Sequence, residues 1–302
     1  MNRTANRSLL AVTAALLGGV VLASDALGQD AVAKPQDSVA AGLVAALVES
    51  EARVRTVRLE LETSGRLDGG LSFTTRGTLR VLRAEQGGAT AMHSLVEFEF
   101  ADGLGGSMES LATKDGIVVL QQDPTFGEVC VRIDASVVAD LEWAGTVLQK
   151  TDLPFQPDAR GRAPLGSAML ADLARRFDLK ASDKKDEALR KGRWFAGDRK
   201  KTEKLEDDGE DLPVSDRIEV FVRDADHALL DVVHFRSGEI VQRIHAVELV
   251  LDEEMKVESF RMRDPAKKPR DVREHAPMWQ QIEQVLKRAT AKSNGELPPS
   301  RR

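Results

Sequence analysis

Several stretches of this chain alternate apolar and charged residues with a period of two, and that pattern constrains the fold more than any other. Val57, Leu59 and Leu61 alternate with Arg58, Glu60 and Glu62. In the segment 73–83, Phe73, Thr75, Gly77, Leu79 and Val81 share one parity, and Val96, Phe98 and Phe100 alternate with Glu97 and Glu99. Successive strand side chains point to opposite faces, so each stretch reads as a strand with one dry face and one wet face. Shorter strands are expected at Ser107–Thr113, Ile117–Gln122 and Glu128–Ile133, separated by turn residues at Lys114-Asp115-Gly116 and from Asp123 to Gly127. Together these form an antiparallel meander. Strands are expected again at Ile218–Val222, Ala228–Phe235, Ile240–Leu251 and Ser259–Met262.

Helical patterns interrupt this run. Asp37 or Ser38 can cap a helix reaching about Arg53, and its body from Val39 to Val48 is apolar on nearly every side, so it must be covered. Asp134 caps a second helix to about Gln149, and a loop with Pro154, Pro157 and Pro164 leads to a third at Ser167–Phe177. The charged stretch 180–211 reads as a solvated excursion with one short strand at Trp194-Phe195. A last amphipathic helix covers Pro277–Lys292, before a polar tail at 293–302. The order implies one α+β domain over 38–292, in which a strongly curved antiparallel sheet, an incomplete barrel, is covered by helices.

The first 28 residues read as a secretory signal peptide, followed by a linker at 29–37. Arg3 and Arg7 precede an apolar run from Leu9 to Ala23, and Ala26-Leu27-Gly28 places small residues at a cleavage site. The expected location is the periplasm, or the medium beyond it; a leader retained as a membrane anchor is the other reading. The excess of 49 acidic over 43 basic residues, a formal charge of −6, disfavours a nucleic-acid partner. The lone cysteine, Cys130, excludes an intramolecular disulfide, and three Trp with no Tyr leave few rings on which sugars or bases could stack.

Catalytic signatures are not apparent: there is no Gly-x-Ser-x-Gly elbow, His-Glu-x-x-His helix or phosphate loop. Asp224, Asp226 and Asp231 lack the central glycine and closing glutamate of a calcium loop. His234 and His245 flank a hairpin at Ser237-Gly238. With Arg236 opposite Glu239 they share a solvated face about 13 Å apart, too far for one metal ion. No catalytic residue, metal or cofactor is expected.

A family resemblance sharpens the reading. Val54-Arg55-Thr56-Val57-Arg58-Leu59 follows the first helix, and Arg76-Gly77-Thr78-Leu79-Arg80-Val81-Leu82-Arg83 resembles a Gly-x-Leu-x-Val-x-Arg strand. Lys114-Asp115-Gly116 with Asp123-Pro124, the strand Val247–Leu251 and Phe260-Arg261-Met262-Arg263-Asp264-Pro265 complete the pattern. Over roughly Ser38–Val272 the chain resembles the LolA-like periplasmic lipoprotein carriers and lipoprotein-sorting proteins. The resemblance implies an unclosed barrel lidded by helices, a cavity for acyl chains of lipid or lipoprotein, a membrane-bound donor or acceptor as partner, and no covalent chemistry. A monomer is expected.

By parity, Phe73, Leu79, Val81, Val96, Phe98 and Phe100 would line that cavity, joined by Val220, Phe235, Ile240 and Leu249 from the later strands. Arg83 shares the parity of Leu79 and Val81. An arginine at the matching position of the carriers acts inside the cavity mouth, although Ala84 stands where they have a proline. A scaffold or sensor of the same fold, its interior filled by its own helices, is the alternative.

Overall fold

The computed structural model describes residues 39–67, 70–84, 89–123, 127–148, 165–186, 190–200, 214–293 and 295–301. The leader, the linker, the proline-rich loop, and residues 187–189 and 201–211 of the charged excursion lie outside these residues.

A helix, α1 (Val39–Arg53), opens the described chain, and the six expected strands follow as β1 (Thr56–Arg66), β2 (Ser72–Arg83), β3 (Ala89–Phe100), β4 (Gly105–Thr113), β5 (Gly116–Asp123) and β6 (Gly127–Asp134). Next come α2 (Ala135–Leu148), α3 (Ser167–Arg176), β7 (Lys180–Ala181), β8 (Gly192–Asp198), β9 (Arg217–Arg223), β10 (Leu229–Arg236) and β11 (Glu239–Leu251). A two-residue strand, β12 (Arg270–Asp271), and α4 (Ala276–Lys292) complete the order.

All twelve strands form one unclosed sheet in the order β12-β6-β5-β4-β3-β2-β1-β11-β10-β9-β8-β7. Every pairing is antiparallel except β12 with β6. The two halves meet where β1 pairs with β11, Leu59 opposite Leu249 and Thr63 opposite Ile244. A sheet this wide, with the usual twist of about 20–25° between neighbours, curls rather than staying flat.

One face carries Val57, Leu59, Leu79, Val81, Ile117, Val119, Val131 and Ile133. It forms a single core with Leu43 and Leu47 of α1, Leu141 of α2, Leu170 and Leu173 of α3, and Ile282 and Leu286 of α4. The four helices work in pairs. Glu51, 2% exposed near the end of α1, accepts hydrogen bonds from the backbone N–H groups of Leu165 (3.2 Å) and Ser167 (2.9 Å) and from the Ser167 hydroxyl. It thereby satisfies donors that α3 leaves unpaired at its first turn. In the second pair, Lys292 at the end of α4 donates to the Leu148 carbonyl at the end of α2 (3.2 Å). Buried Asp140 of α2 accepts from the backbone N–H (2.8 Å) and hydroxyl of Ser300 beyond α4.

The opposite face is covered too. After β11 the chain turns at Asp252 (φ 55°) and crosses the strands as a strap. Arg80 donates to the carbonyl and hydroxyl of Ser259 and lies over the Phe260 ring at 5.0 Å. The Arg263 backbone N–H reaches buried Glu109 (2.7 Å), and Lys267 pairs with Glu128. The strap then pairs as β12 with the edge of β6 and passes round it to become α4 on the helical face. The segment Ser259–Met262, expected as a strand, is therefore not one. Ser259 closes a short 3-10 turn, and the polar groups around it bond to side chains of the strands beneath.

A carboxylate buried with three donors cannot be removed cheaply. Glu51→Ala leaves those donors unpaired at the start of α3 and should cost about 2–3 kcal/mol, measured by urea unfolding. A loss below about 0.5 kcal/mol would mean that water replaces the carboxylate.

Candidate functional site

The residues expected to line a cavity separate into three groups. Phe73, Leu79, Val81, Val96, Phe98, Phe100 and Val220 are buried, none more than 8% exposed. Leu249, opposite Leu59, and Arg83 are half-buried on the same face. Phe235 and Ile240 depart from the expected pattern. The β10–β11 pairing shifts register between His234 and Phe235, leaving Phe235 opposite Ile240. Against β9, however, β10 stays in regular register from Asp231 to Phe235, with Val232 opposite Val220 and Phe235 opposite Arg217, whose guanidinium lies 5.6 Å from the Phe235 ring. Phe235 thus shares a face with Val233 and Asp231, opposite to Val220, and Ile240 is 59% exposed.

The same shift corrects the histidines. His234 pairs with Gln242 on the helical face, while His245 pairs with Asp231 on the other, so they do not share a face. Nor is that other face merely solvated. Asp231 is fully buried, its Oδ1 accepting from His245 Nδ1 (2.8 Å) and Arg243 (3.1 Å), while Arg190 approaches Oδ2 at 2.7 Å. Arg190 also grips Asp186 through its backbone N–H and guanidinium and covers the Phe221 ring at 4.3 Å. Lys184 pairs with Glu219 at 2.6 Å and sits 3.9 Å over the Trp194 ring. Part of the charged excursion is thereby bolted down as a cover over β8–β11.

On the helical face the apolar surface divides. Leu67, Phe73, Phe98 and Phe100 form a small core of their own at the end where the β1–β2 and β3–β4 hairpins turn, and no described helical residue belongs to it. Glycines admit these rings: a Cβ on Gly65 would stand 2.8 Å from the Phe73 ring, and one on Gly106 would stand 2.7 Å from that of Phe98. Thr63 and Thr75, paired across β1 and β2, lie between this cluster and the helix-covered core and are buried.

Arg83 points to the helical face, as its parity requires. Its guanidinium donates to the Glu51 (2.8 Å) and Val54 (2.6 Å) carbonyls, capping the C-terminal end of α1 where the helix dipole favours a cation. Cys130 is half-buried, and desolvation first, then the carboxylates of Asp264 and Glu109, push its thiol upward, so it is no activated nucleophile. Among the described residues no group of three or more His, Cys, Asp or Glu side chains is placed to hold a metal.

No protein-family model matches the chain, and no curated protein matches it. Solved structures similar to it include an uncharacterised conserved protein from Thermus thermophilus, at 12% identity and a TM-score of 0.36 over 76% of this chain and 98% of that one. A LolA superfamily protein from Nitrosomonas europaea is similar at 8% identity and a TM-score of 0.25, over 72% and 97% of the two chains. A beta-barrel-like protein of a domain of unknown function from Brucella abortus gives 10% identity and 0.24, over 66% and 98%. These are distant likenesses of fold, and no residue role follows from them.

The Arg190 guanidinium and backbone N–H hold the Asp186 carboxyl below its ordinary range. A depressed carboxyl contributes stability above its unfolded pKa and loses it as pH falls through the folded one. Asp186→Asn should therefore be less stable than wild type at pH 7, and the difference should shrink below about pH 4. Urea midpoints of both proteins from pH 3 to 7 measure this. A difference independent of pH would remove the ion pair as its cause.

Proposed function

We propose that this protein is an exported, non-enzymatic half-barrel that holds an acyl chain of a lipid or lipoprotein between its sheet and its helices. The observation that carries this reading is the division of the helical face into two apolar cores, of which, among the described residues, only the larger is built with helical residues. The apolar strip therefore runs past the described helices towards the hairpin end. From Val81 to Phe73 along β2 is eight residues, about 27 Å of strand, enough to lie alongside an extended acyl chain. Each methylene moved from water onto this strip would contribute about 0.8 kcal/mol. The sequence of the first 28 residues supports export, and a carrier of this kind would need a membrane-bound donor or acceptor. The proposed lining is Phe73, Leu79, Val81, Val96, Phe98 and Phe100, with Val220 and Leu249 across the β1–β11 junction. Arg83 has a structural role at α1 that leaves it near the helix end.

One observation favours the second reading, a scaffold or sensor with a filled interior. With the helices in place Leu79 and Val81 are already 2% and 4% exposed, so a chain could enter only if a helix pair moved away. Native mass spectrometry after mixing with phosphatidylethanolamine vesicles separates the two. A carrier retains lipid and binds a fluorescent fatty acid, and Val81→Asp weakens that binding at least tenfold with an unchanged far-ultraviolet spectrum. A protein that stays free of lipid and ignores the probe is the scaffold. For a carrier, Glu51→Gln, which loosens the α1–α3 pair, should also speed probe uptake several-fold in stopped-flow fluorescence.

A further inference from the structure

We propose that the strap-covered face carries a separate binding site, a groove that takes an extended segment of a partner protein with a basic and an acidic side chain about four residues apart. This inference is independent of whether the helical face holds lipid. The groove has a volume of about 630 Å3 and occupies the hairpin-end strip of the sheet that lies between the two covers. On one side the excursion cover is bolted to Asp231; on the other the strap is held by Glu97 and Glu109.

Register gives the floor its order. One row runs Arg243, Ser64, Thr74, Glu99 across β11, β1, β2 and β3; the next runs His245, Glu62, Arg76, Glu97. Both rows begin with a nitrogen base and end with a carboxylate, three inter-strand spacings or about 14 Å away. At the β11 end Asp231 is buried beneath, so the Arg243 guanidinium, 48% exposed, and the His245 ring are what face outward. In the middle Glu62 and Arg76 pair at 3.1 Å and offset each other. At the β3 end Glu97 pairs with Arg263, while Glu99 is exposed and has no cationic partner among the described residues. The groove is polarised across the strands rather than charged overall.

That polarity selects the ligand by chemistry. A lipid would need apolar walls, and the one large apolar residue in the lining, Phe98, belongs by its side chain to the small core on the helical face. A polyanion would meet Glu62, Glu97 and Glu99, and a sugar would find no Trp or Tyr ring to stack on. The floor strands have satisfied their backbone groups in the sheet, so recognition falls to side chains: the Ser64 and Thr74 hydroxyls, with opposite charges at the ends. An extended chain advances about 3.4 Å per residue, so side chains four residues apart span the same distance of about 14 Å.

The test uses the pentapeptide Ac-Lys-Ala-Thr-Ala-Asp-NH2 in a TROSY titration of the whole protein. The expected result is a set of shifts confined to the amides around Ser64, Thr74, Glu99 and Arg243, with the Lys/Lys and Asp/Asp versions of the peptide at least tenfold weaker. Glu99→Lys, at an exposed position without an ion partner among the described residues, should weaken the dipolar peptide at least tenfold; Arg243→Gln should do the same, with its spectrum reporting whether the fold is kept. The proposal is overturned if the dipolar peptide leaves those amides unmoved, if the uniformly charged peptides move them equally, or if Glu99→Lys binds as wild type does.

Discussion

The pairing of β1 with β11 is the constraint on which the rest of the molecule depends. It joins residues about 190 positions apart and fuses a six-strand meander to a second half-sheet, so that Leu59, Leu249 and Val57 become the middle of one apolar face. Without it each half would expose a long edge, and the helices would have no common surface to cover. The junction also fixes parity. The bulge after Glu60 shifts the partner by one residue, which keeps Leu61 opposite Ala246 and turns Val247 outward, 52% exposed. Such a shift matters because a register error of one residue would exchange wet and dry faces along the whole half-sheet.

The two faces are finished by different means. Helices cover one through aliphatic packing, and irregular chain covers the other through ion pairs and cation–π contacts. Apart from the two residues of β12, the irregular covers lack the backbone ladder that would hold them in place. They are held instead by charge-assisted hydrogen bonds to carboxylates that the sheet buries, Glu109 under the strap and Asp231 under the excursion. A buried carboxylate with several donors resists sliding, because any displacement leaves a charge unpaired in a dry place. That gives loops without regular structure a defined position.

Much of the fold is legible in the residues. Period-two alternation finds β1 to β6, because one face is dry and the other wet, although β1 runs on to Arg66 and β3 begins already at Ala89. The apolar body of α1 suggests cover on nearly every side, but only the stripe of Ala40, Leu43, Leu47 and Glu51 is buried, and Val39, Ala41 and Ala45 are exposed. What escapes has physical causes. The register of β10 against β9, with Val232 opposite Val220, puts Phe235 and its partner Ile240 on the other face, and no propensity marks that alignment; the extra residue in β11 separates His234 from His245. The strap has no period because it crosses strands instead of joining them. The buried acids do leave a readable trace: Glu51 continues the four-residue stripe of Leu43 and Leu47, and Asp231 interrupts the apolar run from Leu230 to Val233. A charge on an apolar stripe signals a partner elsewhere in the fold, and in both cases that partner lies far away in sequence or on another element.

The route of the strap bears on how the molecule comes into being. The segment that completes the sheet at β11, crosses one face, pairs with β6 and covers the other face as α4 comes last in the chain. Until those residues are available, β1 is an edge strand, the β6 edge is bare, and neither face of the meander has its full cover. Folding of this protein is thus gated by arrival of its final quarter: contacts of high sequence separation must form late, and the partly built chain stays open and pliable for as long as its end is withheld.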